Sequence, residues 1–256
     1  MGHSIDLNCD MGEGFGVYGI GNDEPLLDII TSANIACGFH AGDPLIMHRT
    51  IDMAKARGVR VGAHPGFLDL WGFGRRPILN ERPEDIEKHI IYQIGAIQAM
   101  AASLDWPITH FKPHGALGNM AAVDKDLARA TAIAVKAVDP SLAFVAMPYS
   151  ESYKAGEAAG LNVICEVFAD RTYDDQGQLT SRKLPNAVIH DASQSTDHVL
   201  RMVTENTILT TGGKRLPVHA RTICVHGDTP GAPQIARRMR DALESAGLTI
   251  ESYIKK

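Results

Sequence analysis

Along the chain, short runs in which apolar residues alternate with polar or small ones are separated by longer stretches in which apolar residues recur every three or four positions. The first pattern is that of a strand and the second that of an amphipathic helix. The spacing predicts strands over residues 4–9, 34–39, 59–63, 108–112, 142–147, 162–168 and 221–225, with a weaker edge strand over 249–254. It predicts helices at about 44–57, 83–103, 124–138, 150–159, 195–210 and 232–246. Asp43 followed by Pro44 reads as an N-cap with proline at the first helical position, and Gly58, Gly160 and Gly247 close three helices. Residues 10–24 and 65–82 stay irregular, and loops of that length in a compact domain usually carry function.

Strands alternating with helices specify a parallel α/β architecture. An open doubly wound sheet normally carries a phosphate loop in its first strand–helix turn. Neither GxGxxG after the first strand nor GxxxxGK[ST] anywhere is present, so a closed (β/α) barrel of seven or eight strands leads. No linker or repeat divides the 256 residues, and residues 1–256 are expected to form a single α/β barrel domain.

Composition narrows the class of partner. Hydrophobic residues make up 45% and charged residues 21%, and the formal net charge of -5 comes without a basic block, which argues against nucleic acid. No run of about 18 apolar residues is present to span a membrane, and the first residues lack the apolar stretch of a signal peptide. Cys9, Cys37, Cys165 and Cys224 form no CxxC pair and sit in apolar runs, as small buried hydrophobes in a reducing compartment would. The cytoplasm is the expected setting.

The strongest chemical signal is that nearly every predicted strand ends in polar residues. In the first, Asp6, Asn8 and Asp10 share one face by the period of two, while Ile5, Leu7 and Cys9 face the helices. Carboxylates pointing into a sheet are costly unless paired, hydrogen-bonded or metal-bound. The second strand ends at His40, on the face of Asn34, Ala36 and Gly38, whose small side chains leave space beside it. The third ends at His64, and the fourth places His110, Lys112 and His114 on one face. The sixth supplies Glu166 and Asp170, followed by Arg171, and the seventh supplies His226.

In a barrel these ends converge on one mouth. Arg75, Arg76 and Arg182 are candidates to clamp a carboxylate or phosphate, and solvated loop charge is an equal reading of each. The glycine-rich loop from Gly12 to Gly16 allows a ligand to approach the backbone closely. No GxSxG elbow points to covalent catalysis. Asp10, His40 and His64 are the candidates for a divalent ion such as zinc or manganese, without HxxxH or HExxH spacing to support it.

Taken in order, seven segments resemble the LamB/YcsF family of prokaryotic 5-oxoprolinase A subunits: DLNCDMGEGFG from Asp6, NIACGFHAGDP from Asn34, GAHPGF from Gly62, GFGRR from Gly72, KPHGAL from Lys112, EVFADR from Glu166 and VHGD from Val225. The resemblance runs through nearly the whole chain. It implies a seven-stranded barrel similar to carbohydrate deacetylases. It also implies ATP-dependent opening of 5-oxo-L-proline to L-glutamate, with ATP as co-substrate (together with magnesium) and subunits B and C as partners.

A lactam is a poor electrophile, and phosphorylating its oxygen would activate it. On that reading Asp10 or Glu13 is the candidate general base and His64 or His114 the acid, with Lys112 stabilising negative charge. Asp6, Asn8, His40, Arg75, Arg76, Glu166, Asp170, Arg182 and His226 are the expected substrate-binding residues. Two alternatives stay open: a stand-alone metal-dependent amide hydrolase or deacetylase, and a non-catalytic subunit that passes substrate to a partner.

Overall fold

The computed structural model describes residues 4–225, 227 and 231–254. Seven parallel strands close on themselves in the order β1 (Ser4–Met11), β2 (Ser32–Ala36), β3 (Arg60–His64), β4 (Ile108–Phe111), β5 (Ala143–Ala146), β6 (Val163–Phe168) and β9 (Thr222–Val225), with β9 pairing back onto β1. The expected barrel is therefore present, with seven strands. A two-residue strand, β10 (Thr249–Ile250), adds to the start of β1, where an edge strand was expected.

The helices are α1 (Asp23–Leu27), α2 (Pro44–Ala56), α3 (Pro83–Ser103), α4 (Gly115–Ala121), α5 (Lys125–Val138), α6 (Glu151–Ala159), α7 (Ala192–Thr204) and α8 (Ala232–Ser245). The caps form as the sequence dictates: the Asp43 carboxylate accepts from the backbone N–H of Leu45 and Ile46, and Pro44 opens α2. Short α1 and α4 were not expected, and neither reaches the length at which periodicity is legible.

One expectation fails. The helix predicted over 195–210 stops at Thr204, and an antiparallel hairpin of β7 (Thr207–Leu209) and β8 (Arg215–Pro217) follows. Asn206 takes the left-handed φ of 50°, which breaks the helix. The run from Thr207 to Leu209 is β-prone, and Gly212 and Gly213 give it a turn on which to fold back.

The apolar core lies between the outer face of the barrel and its helices. Ile5, Leu7, Cys9, Val61, Ala63 and Ile223 are at most 2% exposed there. The opposite faces of the same strands point into the lumen. Among the described residues that interior carries an apolar cluster beside β5 and β6, where Ala143, Val145 and Ile164 meet Tyr253 and Ile254 from the segment after β10. Elsewhere the lumen is filled by polar side chains. No helix among the described residues is long and apolar enough to cross a membrane.

Candidate active site

The polar residues of the lumen stack in tiers. At the bottom, the Asp6 carboxylate accepts from the hydroxyls of Thr31 and Ser32, each at 2.6 Å, and of Thr222. Burial raises its pKa to about 6 against these hydrogen bonds. Above it, Asn8 Nδ2 donates to Thr222 at 2.7 Å and to Glu166 at 3.1 Å. Asn34 Nδ2 donates to Asn8 Oδ1 and Asp10 Oδ1, while its own Oδ1 lies 2.9 Å from Nε2 of His110.

The reach of His110 to Asn34 passes over Gly62. In the strand register Asn34 is beside Gly62 and Gly62 beside His110, and a Cβ on Gly62 would stand 2.2 Å from the His110 ring. Burial, then the charge of Lys112, lowers the His110 pKa to about 3. Asn34 was expected to leave space beside His40. Instead it joins β1 to β4, a role that its period-two position opposite polar β1 signals.

Lys112 closes the polar stack. Its ammonium donates to Asp10 Oδ1 at 2.9 Å, Asn8 Oδ1 at 3.2 Å and Cys224 Sγ at 3.1 Å, and it stands 3.0 Å from Glu166 Oε1. Burial works to depress the lysine pKa, but Asp10, Cys224 and Glu166 outweigh it and raise it well above the usual value. Burial likewise opposes ionisation of Asp10, yet His64 and Lys112 hold its carboxyl well below the usual range. All four cysteines are buried and free, as expected. Cys224 departs from a purely apolar role, because its sulfur faces the lysine.

At the mouth three histidines from three strands meet Glu13 of the first long loop. His64 Nδ1 donates to the carbonyl of Lys112 at 2.7 Å, and its Nε2 lies 3.2 Å from Asp10 Oδ2 and 3.1 Å from His114 Nδ1. His114 Nε2 donates to the carbonyl of Phe73 at 2.8 Å. The His40 and His114 rings stack at 3.7 Å, and Glu13 Oε1 lies 3.5 Å from His40 Nε2 and 3.4 Å from His114 Nδ1. Burial is the main cause that lowers both rings, His40 well below the usual value and His114 to about 3. Donor atoms of Glu13, His40, His64 and His114 all lie within 4.8 Å of one another, and Asp10, expected with His40 and His64, stands beside this group at 3.2 Å from His64 Nε2.

A cavity of about 210 Å³ opens above this floor. Asp10, Glu13, His64, Lys112, His114 and Glu166 line it, with Arg75, Arg171 and Arg182 on its wall and Val145, Met147, Phe168 and Leu179 as apolar lining. Five residues expected at the site lie elsewhere. Asp6 and Asn8 are buried beneath the floor, and His40 is buried behind His114 and Glu13. Arg76 leaves the site because Asp69 captures it in a two-pronged ion pair, with Nε to Oδ1 at 2.8 Å. Asp170 lines a second cavity with Ile189, Ser195 and Met239. His226 lies outside the described residues. Arg171, buried with its guanidinium on the carbonyls of Thr180 and Ala187, was adjacent to a predicted residue and is part of the wall.

Comparisons place the chain among known proteins. The LamB/YcsF family model matches residues 5–256. The chain is 54% identical over 252 residues to the 5-oxoprolinase A subunit of Rhodopseudomonas palustris (strain BisB5), covering 98% of this chain and 99% of that one. It is 50% identical to the 5-oxoprolinase A subunit of Brevibacillus brevis over 96% of its own length and 97% of the relative's. The crystal structure of a lactam utilization protein from Thermus thermophilus superposes with a TM-score of 0.92 at 42% identity, covering 98% of this chain and all of that one. A substrate-bound T48 deacetylase shares the fold alone, with a TM-score of 0.50 at 14% identity over 98% of this chain and 88% of that one. With the barrel, its mouth and the full-length match in agreement, the chain belongs to the LamB/YcsF family.

Proposed function

We propose that this chain is the A subunit of a cytoplasmic ATP-dependent 5-oxoprolinase, which opens 5-oxo-L-proline to L-glutamate with hydrolysis of ATP and acts with subunits B and C. The observation that carries the reading is a small cavity whose floor holds the buried Asp10–Lys112–Glu166 cluster and whose wall holds three arginines. The names of relatives at about half identity over nearly the full chain support it.

The substrate offers a carboxylate to Arg75, Arg171 and Arg182 and a ring carbonyl to the floor. The Lys112 ammonium is held by Asn8, Asp10, Cys224 and Glu166, so it acts on the carbonyl through its field and by pinning Asp10. Asp10 is ionised throughout the neutral range and lines the cavity. It accepts the proton of the water that adds to the ring carbonyl carbon and returns it to the ring nitrogen as the carbon–nitrogen bond breaks. ATP, with magnesium, would activate the lactam by phosphorylating its oxygen with release of ADP, and inorganic phosphate would leave as the added water completes the new carboxylate.

Mixing the chain with its B and C partners, and following 5-oxoproline, ATP and glutamate together, tests the reading. Glutamate formation that needs all three chains and ATP is expected. The cluster of Glu13 with three histidines favours a second reading, a stand-alone metal-dependent amide hydrolase or deacetylase. Lactam opening or deacetylation by the chain alone, without ATP, would establish it and overturn the first.

A further inference from the structure

We propose that Glu13, His40, His64 and His114 bind one first-row transition-metal ion of the zinc class. A neutral imidazole carries one N–H, and the outer contacts of two rings show where it sits. His64 uses Nδ1–H on the Lys112 carbonyl, and His114 uses Nε2–H on the Phe73 carbonyl. When an ion displaces the proton that His64 otherwise shares with Asp10, the remaining nitrogens, His64 Nε2 and His114 Nδ1, present lone pairs, and they face each other at 3.1 Å. Glu13 Oε1 lies 3.4 Å from the second and Asp10 Oδ2 lies 3.2 Å from the first. Lone pairs of His64, His114 and Glu13 converge there, and a cation at their centre is coordinated by all three, with Asp10 beside it.

His40 supplies an independent observation. Both of its ring nitrogens are buried with no hydrogen-bond partner among the described residues, although the ring is 0% exposed. A buried polar atom left unsatisfied is destabilising, so it points to a partner. The ring is nevertheless held in place, stacked within 5° of parallel on His114. Its seat is built by two glycines: a Cβ on Gly66 would meet His40 at 2.7 Å, and one on Gly74 at 2.6 Å. Phe73 takes a left-handed φ of 54° next to Gly74, in the turn whose carbonyl anchors His114.

The donors all lie within 4.8 Å of one another, and a rotation that unstacks His40 from His114 brings the set onto the ion, because both rings can ligate it only with their planes turned toward it. A tetrahedral centre with metal–ligand bonds of about 2.0–2.1 Å sets its donors about 3.3–3.4 Å apart. Adjacent donors here stand 3.1, 3.4 and 3.5 Å apart. Three imidazoles and one carboxylate suit zinc, cobalt, nickel or iron and not magnesium or calcium. Anchoring the outer N–H of two ring ligands on backbone carbonyls is the arrangement that fixes metal-binding histidines. Asp10 stays outside the ligand set, which leaves its part in proton transfer intact, and the assignment holds whichever amide the cavity takes.

Chelator-treated full-length chain, dialysed against cobalt(II) and then zinc(II), tests this by elemental analysis and visible absorption. One equivalent of cobalt with the intense bands of four-coordinate geometry is expected, displaced by zinc and unaffected by magnesium. The paired variant His40→Gln with His114→Gln should weaken binding by about 100-fold or more, and Asp10→Asn should change it only a few-fold. Full metal retention in the paired variant, checked for native circular dichroism, would overturn the assignment. If that variant fails to fold, the wild-type spectrum decides. A protein that binds no cobalt and shows a His64 imidazolium in its nitrogen chemical shifts has a shared proton between the two rings, and no metal site.

Discussion

The ammonium of Lys112 lies 2.9 Å from Asp10 Oδ1, an ion pair buried in the lumen of a barrel and joined from below by Glu166. Asp10 is an inward residue of β1, and Lys112, 102 positions on, directly follows the last residue of β4. Deleting one charge of a buried pair leaves the other uncompensated, which costs about 3–5 kcal/mol.

Lys112→Met keeps the length of the side chain and removes its charge. It should lower the unfolding free energy by about 3–5 kcal/mol in urea denaturation and abolish glutamate formation by the reconstituted enzyme. A variant as stable as the wild type would show that the cluster is not held by the lysine.

Asp10→Asn separates chemistry from stability. Asparagine still offers an oxygen to Asn34 and Lys112, so the fold should survive with a smaller loss than Lys112→Met. Turnover should nevertheless fall by about 10²–10⁴, the usual worth of a positioned proton-transfer group. Steady-state kinetics near wild type would remove Asp10 from the proton path.

Asp6 makes a pH prediction whose sign follows from its raised pKa. Between about 4 and about 6 the unfolded chain has lost this proton while the folded chain keeps it, so the group's contribution to stability is present at low pH and falls as pH rises. His110, lowered to about 3, works the other way and stabilises progressively as pH rises toward its ordinary value. Asp6→Asn removes only the first. Relative to wild type, its unfolding free energy should gain a slope of about +1.4 kcal/mol per pH unit between pH 4 and 6. Parallel stability profiles for the two proteins would refute this.

Gly62→Ala drives a methyl group to 2.2 Å from the His110 ring and severs its contact with Asn34. Overpacking of that kind costs about 1–3 kcal/mol, measurable as a drop in Tm. In a His110→Ala background the same substitution should cost much less, because the clash is gone. Equal costs in both backgrounds would place the strain elsewhere.

Much of this was legible in the sequence because it follows local rules. The alternation in β1 sends Asp6, Asn8 and Asp10 inward and Ile5, Leu7 and Cys9 outward wherever that strand packs. The cap at Asp43 and the missing phosphate loop likewise need only neighbouring residues. The hairpin after α7 was not legible, since a β-prone run continued a helical pattern and only the backbone turn at Asn206 separates them.

What the sequence by itself determined is the barrel, the polarity of its strands and the set of residues able to reach its mouth. Which of them meet was decided only by closure. Closure fixes the height of every inward side chain, so Asn8 bonds Thr222 across 214 residues and becomes part of the barrel wall, while Asp10, one turn of the alternation higher, reaches the cavity. It also let Asp69 take Arg76 out of the site and brought Glu13 from a loop to the three histidines. Such partnerships are set by distances between remote strands, and no spacing along the chain encodes them.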